Sequence, residues 1–102
     1  MEIYILTKEF PETEKFGLTS QIRRASISVA CNISEGSSRF SKKEKIRYIE
    51  IAFGSLMEVL NCLVISVDLN YLKDHQIEKI RLQTEEIARQ LNGLKKSFEK
   101  LT

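Results

Sequence analysis

The sequence predicts an all-α protein: an antiparallel up-down-up-down four-helix bundle with a short first helix. Three observations carry that prediction. No segment alternates apolar and polar residues as a strand does, whereas apolar residues recur in steps of three and four from end to end. Proline occurs once, at position 11, and the four glycines are scattered. The helical segments are joined by short connectors, which makes successive helices antiparallel neighbours. At 102 residues the chain is one domain, residues 1–102, able to bury roughly two-thirds of its unfolded surface.

The first helix spans Glu2 to Glu9, with Ile3, Leu6 and Phe10 at helical spacing, and Pro11 stops it. Thr19 or Ser20 caps the second helix, which runs from 19 to about Glu35, and Gly36 ends it because glycine takes positive φ freely. Ser41 and Glu44 form a capping box that opens the third helix, 42–70. Its main apolar row is Ile46, Ile49, Phe53, Leu56, Leu60, Leu63 and Val67, and a second row holds Ala52, Met57, Val59 and Val64. The segment "YLKD" turns the chain, Asp74 caps, and the fourth helix runs over 75–101 with one apolar stripe from Ile77 to Leu101.

The lengths do not match. The third and fourth helices are each about 40 Å long and the first only about 12 Å. The end that holds Ile46, Phe98 and Leu101 is therefore expected to lie partly uncovered. Either the chain begins partway into its first helix or something else covers that end. The second helix raises a related question, because Ile27 and Cys31 lie off its Ile22, Ala25, Val29, Ile33 stripe. Either the helix is buried on all sides within the bundle, or it has a second packed face and the protein self-associates.

Composition excludes several classes. With 42% hydrophobic and 29% charged residues, the chain is neither disordered nor low-complexity. No uninterrupted apolar run approaches a membrane-spanning length, and the N-terminus "MEIYILTKEF" lacks the features of a signal peptide. A cytoplasmic protein with no membrane partner is expected. Cys31 and Cys62 lack a second Cys or His at metal spacing and are expected to be reduced, buried thiols. His75 beside Asp74 and Glu78 is weak evidence for a metal, and no Glu-x-x-His pair exists for a di-iron bundle. No arrangement supports nucleophilic catalysis, so no catalytic residue, metal or cofactor is expected.

Charge supplies the first functional hint. Between Ser20 and Arg47 seven basic residues face only Glu35 and Glu44, so this third of the chain carries +5 and the remainder −3.

The residues also carry a family pattern: FP, then E-x-x-GL-x-x-Q-x-RRA, then S-x-x-x-NI-x-EG-x-x-R, then A-x-GS-x-x-E. It runs from Phe10 and Pro11 through Glu14, Gly17, Leu18, Gln21, Arg23, Arg24, Asn32, Glu35, Gly36 and Arg39 to Gly54, Ser55 and Glu58. In this the chain resembles the bacterial 23S rRNA intervening sequence proteins, from about Tyr4 to Leu72. The resemblance implies a small bundle assembled as a homo-oligomeric ring, commonly a homopentamer, with no enzymatic activity. A similar fold is that of the accessory variability determinant of diversity-generating retroelements, a basic pentamer that binds nucleic acid and a reverse transcriptase.

Two groups of residues are then candidates. Arg39, Lys42, Lys43, Lys45 and Arg47 surround the second turn, with Phe40 available to stack on a base, and Arg23 faces the same polyanion. Lysines in a first helical turn oppose the helix dipole, so helix stability does not explain them. A solvated helix start is the plainer alternative. Arg24, Asn32, Glu35, Ser55 and Glu58 are read as a buried structural polar network. The expected function is nucleic-acid binding by an oligomer; the alternative is a scaffold or adaptor for a protein partner.

Overall fold

A computed structural model describes residues 3–101. Four α-helices follow one another: α1 (Ile3–Thr7), α2 (Leu18–Ser38), α3 (Lys42–Asp68) and α4 (Asp74–Glu99). One turn of 3-10 helix lies at Glu12–Glu14, and there is no strand among the described residues. α3 is the central helix, packed on α2 along one side and on α4 along the other. The pairings Gln21–Glu58 and Arg39–Tyr48 run in opposite senses along α2 and α3, and Lys95–Glu50 with Lys45–Phe98 does the same for α4 and α3. The long helices are antiparallel, as their short connections require.

Element ends follow local chemistry, and several differ from the sequence expectation. α1 spans only Ile3–Thr7, and of the expected Glu2–Glu9, Glu2 lies outside the described residues. α2 begins at Leu18, so Thr19, a buried residue, sits inside the helix and does not cap it. The cap comes instead from Glu14, whose Oε1 accepts from Leu18 N at 3.3 Å. Gly36 lies within α2, and no glycine among the described residues has positive φ. Its role is close approach: a Cβ there would stand 3.1 Å from Lys45 O and 3.1 Å from Tyr48 Cβ. α3 ends at Asp68, and Asn70 makes the reversal with φ +63° while Tyr71 N closes back to Ser66 O at 2.9 Å. Asp74 is the first residue of α4, not its cap; Lys73 N is met by Gln76 Oε1 at 2.8 Å. At the start of α3 half of the expected capping box forms: Glu44 N donates to Ser41 Oγ at 3.0 Å, while the Glu44 carboxylate makes no return bond to Ser41 N among the described residues.

The core has two parts. At the α1 end, Ile3, Ile22, Val59, Leu63, Ile77 and Ile80 are buried, and Phe10 and Tyr71 close the bottom with ring centroids 5.7 Å apart. At the other end Val29, Ile49, Ala52, Leu56 and Leu91 are buried, but Phe53, Leu94 and Phe98 are only half covered. α1 is five residues long, roughly 8 Å, and cannot reach this end of a molecule 49 Å long. Leu101 is 45% exposed there.

Coverage is incomplete on the outer side too. Ile27 is 50% exposed, and Ile51, Val64, Ile65 and Leu69 are each at least 40% exposed. Cys62 is buried as expected, but Cys31 is exposed because it falls on the outer side of α2 with Ile27. Both are free thiols. Although its uninterrupted apolar runs are short, α3 is long and apolar enough, by length and composition, to cross a membrane. Only 39% of its most apolar stretch is buried within the chain. The chain by itself therefore leaves a broad apolar surface on its central helix.

Candidate nucleic-acid interface

The turn at residues 39–41 is short because Arg39 leaves α2 in extended backbone and Ser41 starts α3 two residues later. That geometry crowds basic side chains at one end of the rod, and it sorts them into two kinds. Arg39 is tied down. Its guanidinium donates to Glu35 at 2.9 Å and to Tyr48 Oη at 3.1 Å, and it lies 5.0 Å over the Tyr48 ring. Tyr48 first and Glu35 second hold its pKa above the ordinary arginine value. Lys45 is tied as well: its Nζ donates to Ser37 O at 3.2 Å and sits 5.1 Å over the Phe98 ring. It satisfies a carbonyl at the end of α2 and pins the last turns of α4.

Lys42, Lys43 and Arg47 have no such ties. All three are exposed and none has an ion-pair partner among the described residues. Lys43 and Arg47 are one helical turn apart and point the same way. Arg23 is elsewhere. It lies 16 residues before Arg39 on α2, about 24 Å along the axis, where its Nε donates to Thr7 Oγ1 at 2.9 Å and its guanidinium lies 4.6 Å over Tyr4. The structure thus separates Arg23 from the other five basic candidates.

It also adds residues that the sequence reading did not name. α3 and α4 are nearly equal in length and antiparallel, so the end of α4 lands beside the start of α3. The Lys45–Phe98 contact fixes this. Lys95, Lys96 and Lys100 therefore join the same end. Segments 35–50 and 94–101 together hold eight basic residues against Glu35, Glu44, Glu50 and Glu99. Glu35 pairs with Arg39, and Glu50 lies 3.7 Å from Lys95 Nζ. The signal that would have found these lysines was the matched length of the two helices.

Phe40 stands at the tip of the turn, fully exposed. It forms one wall of an open groove of about 430 Å³ whose other walls are Glu35, Ser38, Arg39, Ser41 and Glu44. The groove is of mixed polarity, with the Phe40 ring as its apolar wall, and its unpaired charge is the carboxylate of Glu44.

The polar residues between α2 and α3 form two short sets. Asn32 Nδ2 donates to Ser28 O at 2.8 Å and to Ser28 Oγ at 2.9 Å, and Ser28 and Ser55 share a 2.8 Å hydroxyl bond. Gln21 Nε2 donates to Glu58 Oε1 at 3.1 Å. Arg24 is exposed beside Gln21, Ser28, Ser55 and Glu58 on one shallow groove, without a bond to any of them. Glu35 is drawn away to Arg39. Of the five residues expected in one network, Asn32 and Ser55 meet through Ser28, Glu58 meets Gln21, and Arg24 and Glu35 stand outside both sets. Ser28 and Gln21 are the links the sequence reading lacked. Gly54, next to Ser55, has no atom within 4 Å of a would-be Cβ, so within the protomer it does not serve close packing. No group of three His, Cys, Asp or Glu side chains among the described residues is placed to hold a metal ion.

A model of the family described as 23S rRNA-intervening sequence protein matches residues 1–93. No curated protein matches the chain.

Proposed function

The chain belongs to the 23S rRNA-intervening sequence protein family, and from that premise we propose that it is a non-enzymatic, cytoplasmic homo-oligomer that binds RNA or DNA phosphates through its basic end. One observation carries the binding reading. Lys42, Lys43 and Arg47 on α3 lie at the same end of the rod as Lys96 and Lys100 on α4, and none of the five has an ion-pair partner among the described residues. Arg39 and Lys45 serve to hold the helix ends together beneath them.

Assembly is supported by the apolar outer faces of α2 and α3. Ile27, Ile51, Val64 and Ile65 are at least two-fifths exposed on a helix pair whose own core is already filled. A second copy covering these faces removes them from water. A ring, the pentamer implied by the resemblance, repeats the basic end around an axis and multiplies a weak phosphate affinity. The same faces favour a second reading, a protein-interaction scaffold with no nucleic-acid binding.

A salt series of labelled RNA binding, with solution mass measured in parallel, tests both. The variant Lys42→Glu, Lys43→Glu, Arg47→Glu is expected to bind far more weakly and with a log–log salt slope shallower by about 2 for a single strand. Undiminished low-salt binding by that variant sinks the proposed site. Absence of binding by the wild type, with a protein recovered specifically in a pulldown, selects the scaffold.

A further inference from the structure

We infer that the strand bound at the basic end is single-stranded, with an unpaired base stacked on Phe40 and seated in the groove beside it. This rests on the proposed phosphate-binding role and specifies its partner. Three observations lead to it. Phe40 is fully exposed. It makes no aromatic or cation–π contact within the chain among the described residues, whereas the neighbouring Tyr48 and Phe98 rings are each covered by a cation. A bare phenyl ring at the apex of a three-residue turn lies next to Arg39, Lys42 and Lys43 in sequence.

The charges around Phe40 divide the partner into two parts. The unpaired cations Lys42 and Lys43, close to Phe40 in the chain and absent from the groove's walls, suit phosphates. Against the ring itself lies the groove of Ser38, Ser41 and Glu44, with Glu35 already paired with Arg39. Its Glu44 carboxylate repels a phosphate but accepts from the amino edge of a base. Backbone on the lysines and base against the ring is an arrangement that a flexible single strand adopts and a stacked duplex does not. The same carboxylate disfavours the other partner that a Lys–Phe surface fits, an anionic bilayer. The proposed contacts are to phosphates and to the base and not to the sugar, so RNA and DNA single strands are expected to bind alike.

The test uses the full chain and fluorescence anisotropy with end-labelled oligo(A), oligo(dA) and a mixed-sequence duplex of the same length. Co-sedimentation with phosphatidylserine vesicles provides a further arm. Single strands of both kinds are expected to bind more tightly than the duplex. Phe40→Ala, whose side chain is outside the core, is expected to weaken single-strand binding about 5- to 150-fold and duplex binding little. Equal binding of strand and duplex, or unchanged strand binding by Phe40→Ala, overturns the inference while leaving the basic end as a phosphate site. Loss of neither form on charge reversal of Lys42, Lys43 and Arg47 overturns that site itself. Vesicle binding without strand binding assigns the surface to lipid and overturns both.

Discussion

Tyr71 donates a 2.7 Å hydrogen bond to Glu14, 57 residues earlier in the chain. The other Glu14 oxygen accepts from Leu18 N, so one carboxylate caps α2 and ties its start to the turn between α3 and α4. A Cβ at Gly17 would stand 2.8 Å from that second oxygen. The spacing E-x-x-GL over residues 14–18 therefore has a physical content: an acceptor, room for it, and the first amide that it meets.

Alkaline pH should weaken this tie. The Glu14 hydrogen bond first, and burial second, hold the Tyr71 hydroxyl above the ordinary tyrosine pKa. The native state thus keeps the proton that the unfolded chain releases near pH 10, and stability falls wherever the native state binds more protons. The contribution is complete below that pH and is lost as pH rises through the raised native value. In thermal melts taken across this alkaline range, wild-type Tm is expected to drop more steeply than that of Tyr71→Phe, which starts lower at neutral pH. Parallel pH profiles for the two proteins refute the assignment.

The glycines of α2 and α3 should respond oppositely to alanine. At Gly36 the added methyl meets backbone and the rigid Cβ of Tyr48, neither of which can swing aside. Gly36→Ala is expected to cost about 1–3 kcal/mol. Gly54→Ala meets nothing in the protomer and gains helix propensity, so it is expected to stabilise by about 0.5–1 kcal/mol. Denaturant midpoints at a concentration where the chain is monomeric decide the matter, and a destabilised Gly54→Ala monomer would refute the packing described.

Much of the fold was legible because period and length are local properties. The steps of three and four placed Ile49, Leu56, Leu63, Ile77, Ile80 and Leu91 in the core, and the mismatch in helix lengths located the thinly covered end at Phe98 and Leu101. Caps were less legible, since they depend on side chains that the window around a boundary does not single out. Glu14 reaches α2 from the preceding turn, and the left-handed conformation expected of Gly36 is found instead at Asn70, after α3. For the site, the α3 cluster could be read from one run of sequence. What that run could not show was which cations are already engaged. Arg39 meets Tyr48 nine residues on, Arg23 meets Thr7, and Lys96 and Lys100 arrive from the far end of the chain.

The exposed face of α3 should govern assembly. Val64 and Ile65 are 45% and 40% exposed, outside the filled core, so charges there cost the protomer little. Val64→Lys with Ile65→Glu is expected to leave the far-ultraviolet circular dichroism unchanged and to bring the mass in solution down to 11.8 kDa. Light scattering on size-exclusion chromatography reads the mass. Wild type at the monomer mass, or an assembly unaffected by both substitutions, removes this face from the interface.

Arg39 and Lys43 should separate stability from binding. Arg39 joins the end of α2 to α3 through Glu35 and Tyr48, whereas Lys43 touches nothing within the chain that fixes it. Arg39→Gln is therefore expected to lower Tm and to leave the salt slope of strand binding near that of wild type. Lys43→Gln is expected to keep Tm and to make that slope shallower by about 0.7, the share of one phosphate contact on a single strand. Both variants fold around an intact core, so melting curves and binding isotherms are measured on the same preparations. If Arg39→Gln loses as much salt-dependent affinity as Lys43→Gln with no change in Tm, the guanidinium belongs to the phosphate surface, and the division of the basic end into holding and binding residues fails.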